Sequence, residues 1–272
     1  MPPITELAYA KINLSLHVIG RRVDGYHELS SIVAFADVAD VLTLMESKAN
    51  KLEITGPFAA DVPTDESNSI WKARAWLAAR MDLPCVHVKL EKNLPVASGI
   101  GGGSADAAAM LRGLLLLVGK HLSDLEITGL ATSLGADVPV CFHARPCVME
   151  GIGEKISALT IELPKAIVLV NPLLPCSTAS VFKAVGLTPG QNNQVISEIW
   201  RNDMTAAALK VQPMIEDVLN ALSQTRLHPT LMSGSGATCF GLAQSLAEAE
   251  AEAVKFQKAH PQWWVKPARL LT

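Results

Sequence analysis

Four glycines fall within five residues in the run Pro95-Val96-Ala97-Ser98-Gly99-Ile100-Gly101-Gly102-Gly103-Ser104-Ala105, directly ahead of the alanine-rich segment 105–118. A chain with this run must pair a tight, Cβ-free loop with a helix start. That combination suits an oxyanion. Glycine backbone approaches closely and turns its N–H donors inward, while the unpaired amides of the first helical turn add partial positive charge. The run therefore points to a phosphorylated ligand, with a tight structural turn as the alternative on glycine content alone. No lysine follows the glycines to close a Walker A loop, and Ser104 stands where a G-x-G-x-x-G fingerprint needs its third glycine. A G-x-S-x-G nucleophile elbow also fails, at Ser104 and again at Ser235.

Composition narrows the class further. With 272 residues, 49% hydrophobic and 18% charged, the chain has material for a core and for two modest domains. A net charge of −3 lacks the basic footprint of a nucleic-acid binder, so no nucleic-acid partner is expected. Met1-Pro2-Pro3-Ile4-Thr5-Glu6 does not read as a signal peptide. The most apolar stretch, 114–118, is far shorter than the roughly 20 residues that span a bilayer. The expectation is a cytoplasmic protein without a membrane partner. Cys85, Cys141, Cys147, Cys176 and Cys239 are odd in number, dispersed and without a C-x-x-C pair. They read as reduced, mostly buried thiols, and no structural metal is expected even where Cys85 and His87 share a strand face.

Along the chain, residues 8–19 alternate, with Tyr9, Lys11, Asn13, Ser15 and His17 on one side and Ala10, Ile12, Leu14, Leu16 and Val18 on the other. This predicts one half-buried strand followed by a basic turn at 20–25. Further strands are expected at 29–35, 41–45, 51–55 and 86–90, and a helix over 69–79 capped from within 65–68. Helices are also expected at 105–118, closed by Gly119, and from Ser123 toward Gly135. In the last third, strands at 166–170, 238–242 and 263–269 alternate with helices near 179–185, 195–201, 213–222 and 246–259, and a second glycine turn lies at Ser233-Gly234-Ser235-Gly236. The succession suggests a small α/β sandwich of its own in the last third, so a first domain is placed over 1–150 and a second over 151–272, with the boundary near Gly151.

Four segments carry a resemblance: Ala10-Lys11-Ile12-Asn13-Leu14, the glycine run, Gly135-Ala136-Asp137-Val138-Pro139, and Ser233-Gly234-Ser235-Gly236-Ala237. Their types, order and spacing resemble the superfamily of galactokinase, homoserine kinase, mevalonate kinase and phosphomevalonate kinase. With Gly25-Tyr26-His27 added, the chain is most similar to the branch that phosphorylates a cytidine-diphosphate-linked methylerythritol in the non-mevalonate route to isoprenoids. The likeness spans about 8–240 and fades across 192–231, where no motif is seen. It implies a two-domain α+β fold, with a nucleotide-binding domain, a smaller α/β sandwich domain and an active site in the cleft between them. It also implies ATP, with Mg²⁺ accompanying it, and an acceptor hydroxyl on the methyl-bearing carbon.

The resemblance gives the matched residues roles. Asp137 is the general base and Lys11 its electrostatic partner. Pro95 to Ala105 cradle ATP, with Lys92 and Asn68 near the adenosine. Asn13 hydrogen-bonds the substrate, Tyr26 and Phe182 flank the pyrimidine with His27 reading its edge, and Thr178 contacts substrate nearby. Phosphoryl transfer asks mainly for alignment and charge compensation, which such residues supply. Plainer readings stand beside these. Asp137 is well placed as a helix N-cap, Lys11 and Asn13 as the wet side of a strand, Phe182 as core, and Lys92 and Asn68 as surface or capping residues. Asp106 adds a carboxylate that either repels phosphate or helps hold Mg²⁺. Two competing functions remain: a kinase of the same fold with homoserine, mevalonate or a sugar as acceptor, and a catalytically silent nucleotide-binding regulator.

Overall fold

The computed structural model describes residues 2–193 and 199–272. Two compact units emerge, one from residues through Ala10, Val38–Val96 and Gly101–Ala144, the other from Lys11–Asp37, Ala97–Ile100 and Arg145–Thr272. The chain thus passes between units at 10/11, 37/38, 96/97, 100/101 and 144/145, where the sequence suggests a single boundary near Gly151. Even the glycine run is shared, its middle four residues belonging to the second unit.

The first strands differ from expectation. Strand β1 spans Ile4–Asn13 and β2 His17–Arg21, so the predicted single strand over 8–19 is broken. The cause is local: the amides of Leu14 and Ser15 both donate to the Ile32 carbonyl, at 2.8 and 3.4 Å, and the Ile32 amide donates to Ser15 Oγ at 3.0 Å. Two successive amides on one carbonyl interrupt a ladder as a bulge does. Conversely, the two strands expected at 29–35 and 41–45 are one, β3, running His27–Glu46. No glycine or proline falls within it. The half-buried reading of residues 8–19 is also corrected. Lys11, Asn13 and Ser15 are only 3%, 1% and 3% exposed, as buried as their apolar neighbours.

In the first unit, residues 41–46 of β3 pair antiparallel with β5 (Val86–Glu91), which pairs parallel with β4 (Lys51–Thr55). Helix α1 (Ser69–Ala78) lies between β4 and β5 in sequence and buries Ile70, Ala73 and Leu77, as its spacing predicts. Helix α2 (Gly102–Val118) packs on α1 and buries most of its residues. It approaches β3 so closely that a Cβ on Gly113 would stand 2.6 Å from Leu44 Cδ1. Helix α3 (Asp124–Ser133) opens with a complete capping box between Ser123 and Glu126, and α4 spans Val138–His143.

In the second unit, Leu29–Val33 of β3 pairs antiparallel with β6 (Cys147–Gly151), and β6 pairs with β7 (Lys155–Ala158). The remainder runs β8 (Ala166–Asn171), α5 (Thr178–Val185), α6 (Thr205–Val211), α7 (Met214–Ser223), β9 (Thr230–Met232), β10 (Cys239–Ala243), α8 (Leu246–Ala259) and β11 (Trp264–Arg269). Its four strands pair antiparallel in the order β11-β8-β10-β9, and β8, at the centre, is buried throughout. Val168, Val170, Val181, Ile215, Val218, Leu222 and Phe256 join sheet to helices in one core. This is the expected α/β sandwich. The helix expected over 195–201 is not formed at 199–201, which are irregular, and its other residues, 195–198, lie outside the described residues. Among the described residues no helix is long and apolar enough to cross a membrane.

Candidate active site

The glycine run forms the start of α2, three residues earlier than the alanine-rich segment suggests. Gly101 is the N-cap at φ 68°, and the first helical bond runs from Ala105 N to Gly101 O at 2.8 Å. The amides of Gly102, Gly103 and Ser104 therefore have no partner within the helix and can turn to an anion. Ahead of them φ is positive at Ala97 (50°) and Gly99 (76°) as well, so left-handed residues alternate along the loop. Alternation of this kind gathers amides into an anion-binding concavity. Pro95, Ser98, Ile100 and Ala105 are buried, whereas Val96, Ala97 and Gly103 are exposed and Gly99, Gly101, Gly102 and Ser104 half-buried.

Within the second unit, residues 98–100 rest on the second glycine turn. Thr238 N donates to Ser98 O at 3.0 Å, and Ser233 Oγ donates to Gly99 O at 3.1 Å. A Cβ on Gly99 would come within 2.5 Å of Ser233 O and 2.7 Å of Gly236 O, and one on Gly234 within 2.6 Å of Gly99 O. Here glycine is required for backbone to meet backbone. The Ser233 hydroxyl also accepts from Asn13 N at 3.1 Å, and the Lys11 amide donates to Ile100 O at 2.9 Å. The Lys11–Asn13 strand and the loop middle are thereby tied together. Asn13 Nδ2 donates to Ser31 Oγ at 2.8 Å, while its Oδ1 is buried and meets no donor among the described residues. The Lys11 charge acts on the Cys147 thiol, which burial pushes up to about 11 against the pull of Arg145 and Lys11.

The same unit brings His27 and Phe182 together, with ring centroids 4.6 Å apart at 31°. Burial first, and the Arg21 guanidinium second, depress the His27 imidazole below its usual range, so it is neutral at neutral pH. Its Nε2 is buried without a partner among the described residues. Tyr26, in the turn closed by its amide on Asp24 Oδ1 at 3.2 Å, is 53% exposed. Phe182 is half-buried against the helical core and so is not simply a core residue. Thr178 opens α5, its hydroxyl 2.8 Å from that of Ser235 in the second glycine turn.

In the first unit Asp137 occupies the N-cap position of α4, as its plainer reading requires, yet its side chain makes no capping hydrogen bond. Asn68 does cap: Oδ1 accepts from Ile70 N at 2.9 Å and Nδ2 donates to Pro63 O at 2.6 Å. Lys92 is not a surface residue. Its ammonium is 3% exposed and lies 2.5 Å from Asp40 Oδ2 and 2.5 Å from Asp106 Oδ2. Asp106 is therefore turned into the fold.

Sequence reasoning missed Asp40 and Asn202, and marked Ser233 only as part of the second glycine turn. Asn202 is buried and donates to both Met232 O and Gly234 O at 2.8 Å, stapling the second glycine turn from a region without any motif.

The glycine run that opens a buried helix, and the second glycine turn under residues 98–100, lie in a chain of the GHMP kinase class. The model of the GHMP kinases N-terminal domain matches residues 68–145, and that of the GHMP kinases C-terminal domain matches 188–262. A protein of Bradyrhizobium diazoefficiens named 4-diphosphocytidyl-2-C-methyl-D-erythritol kinase is 43% identical over 295 residues, covering 99% of this chain and 99% of its own length. One of the same name from Paramagnetospirillum magneticum is 43% identical over 279 residues, covering 97% and 98%. A crystal structure of 4-(cytidine 5'-diphospho)-2C-methyl-D-erythritol kinase superposes with a TM-score of 0.80 at 30% identity, covering 99% of this chain and 100% of that one. The homoserine kinase of Cytophaga hutchinsonii shares the fold, with a TM-score of 0.71 at 16% identity over 98% of this chain and 95% of its own. The chain belongs to the 4-diphosphocytidyl-2-C-methyl-D-erythritol kinase family.

Proposed function

We propose that the protein transfers the γ-phosphoryl group of ATP to the 2-hydroxyl of 4-diphosphocytidyl-2-C-methyl-D-erythritol, in the cytoplasm. A bond forms between the substrate oxygen and the γ-phosphorus, the bridging β–γ bond breaks and ADP leaves. The hydroxyl proton passes to the Asp137 carboxylate. Lys11 offsets negative charge on the group in flight. The free amides of Gly102, Gly103 and Ser104, with the rest of Pro95 to Ala105, hold the phosphates. Asn13 offers its unused Oδ1 to the substrate. His27, neutral and packed on Phe182, reads the cytosine with Tyr26 at its side, and Thr178 borders the same substrate. Lys92 and Asn68, whose side chains are occupied within the fold, border the nucleotide rather than grip it. Mg²⁺ would come with the nucleotide, whose phosphates supply oxygen ligands. Bound there, it neutralises phosphate charge.

The observation that carries this reading is near-complete coverage of the named relatives at 43% identity. An assay of ADP release with the cytidyl methylerythritol, homoserine and mevalonate as acceptors tests it. Turnover is expected on the first alone; equal turnover on another alcohol would reassign the acceptor. Asp137→Ala should lower kcat by at least about a hundredfold, the usual scale for a general base, with ATP binding retained. Unchanged kcat would remove Asp137 from that role.

A further inference from the structure

We propose that Asp40, Lys92 and Asp106 form a neutral three-member lock, one proton being kept on the Asp106 carboxyl, and that this lock positions the first turns of α2 and so sets nucleotide affinity. The three come from β3, from the stretch after β5 and from α2, and are 0%, 3% and 2% exposed. One ammonium cannot neutralise two carboxylates, and a residual negative charge in a dry interior is costly. The hydrogen bonds say where a proton goes. Asp40 Oδ1 accepts from Asn93 N at 2.6 Å and Leu94 N at 2.8 Å, and its Oδ2 accepts from Lys92. Both oxygens of Asp40 are thus engaged as acceptors, by three donors. Asp106 accepts from Lys92 alone at Oδ2, and its Oδ1 is buried with no partner among the described residues. The proton belongs on Asp106, where it can be shared with Asp40.

The electrostatics agree. Burial, and then the Asp40 charge, push the Asp106 carboxyl up to about 7 against the pull of Lys92. Burial opposes the Lys92 charge, but Asp106 and Asp40 together hold it above the usual lysine range. Helices α1, with Lys72 and Arg74, and α4, with Asp137 at its N-cap and His143, pack against α2 without adding a charge that acts on Asp106.

The lock touches the loop on both sides within the first unit. Asp40 holds the amides of Asn93 and Leu94 just before Pro95, and Lys92 Nζ lies 3.3 Å from where a Gly102 Cβ would stand. The three are positioning residues. The nucleotide half of the proposal rests on the kinase reading above, whereas the proton half does not.

The first test is an NMR titration of the unliganded full chain with ¹³C-labelled aspartate carboxyls, Asp106→Asn supplying the assignment. A carboxyl missing from the variant and titrating well above the other aspartates is expected. Titration in the ordinary aspartate range would overturn the lock's proton. The second is calorimetric ATP binding. Asp106→Asn presents an oxygen to Lys92 and an N–H to Asp40 as the protonated acid does, so Kd should stay within about threefold of wild type. Asp106→Ala, which takes away one of the two oxygens on the Lys92 ammonium and leaves a void beside it, should weaken binding about tenfold or more. Equal weakening by Asn and Ala would overturn the proposal. Asp40→Asn should weaken binding more than Asp106→Asn; should it not fold, the Asp106 pair decides alone. No ATP binding by wild type would overturn the kinase reading and the nucleotide half with it, leaving the titration to decide the proton.

Discussion

The middle and the end of the glycine run are held by forces of different kinds. Residues 98–100 rest on neutral backbone contacts with the turn at 233–236, where glycine meets glycine. Residues 101–106 are held by a buried ammonium between two carboxylates. The first kind depends on shape and is blind to pH; the second depends on charge and should respond to protons. A single motif thus carries two distinct vulnerabilities.

The shape-dependent part should break hardest. Gly99→Ala combines a left-handed φ of 76° with a Cβ 2.5 Å from Ser233 O. A loss of about 3 kcal/mol is expected from overpacking and strain, at every pH. Denaturant midpoints close to wild type would show that the contact yields. Ser233→Ala leaves the Asn13 amide and the Gly99 carbonyl without their shared hydroxyl, which should cost about 1–3 kcal/mol and raise the KM for both substrates. A change confined to one KM would mean that the hydroxyl serves only one side.

The ionic part should reveal itself in slope. Asp106 is held above its ordinary 3.8, up to about 7, so its contribution to stability is full below the lower value and is lost as pH rises through the higher. Denaturation of wild type across that window should therefore include a component falling with pH that Asp106→Asn removes. Parallel pH profiles would refute the linkage. The smallest effect belongs to Gly103→Ala, where the nearest atom to an added Cβ is Ser69 Oγ at 3.8 Å. Stability should rise by up to about 1 kcal/mol from helix propensity, while ATP affinity falls if phosphate needs bare backbone there. A gain in stability with unchanged affinity would remove Gly103 from phosphate contact.

The same division governs what could be read in the sequence. Helices α1 and α8 and strand β4 are legible because caps and apolar spacing are local signals. The start of α2 is not. Glycine lowers helix propensity, so propensity alone starts the helix at the alanines, whereas the loop geometry makes Gly101 the cap. Alternation correctly marks residues 8–13 as extended but misjudges their polar side. The hydrogen bonds that hold this strand come from Ser31, Ile100 and Ser233, distant in the chain. The Asp40–Lys92 pair spans 52 residues and Asp106–Lys92 spans 14, so neither leaves a spacing signature. Of the resemblance-derived roles, the His27–Phe182 neighbourhood is visible as packed rings, although histidine rather than Tyr26 makes the contact.

One detail of the strand beside the loop has a wider consequence. Asn13 Oδ1 sits in the interior without a donor among the described residues, an idle acceptor that weakens the empty fold. A guest hydroxyl reaching it would relieve that penalty, so part of the guest's grip would come from discomfort already present in the host. Evolution toward a more robust empty protein and toward tighter capture would then pull this asparagine in opposite directions.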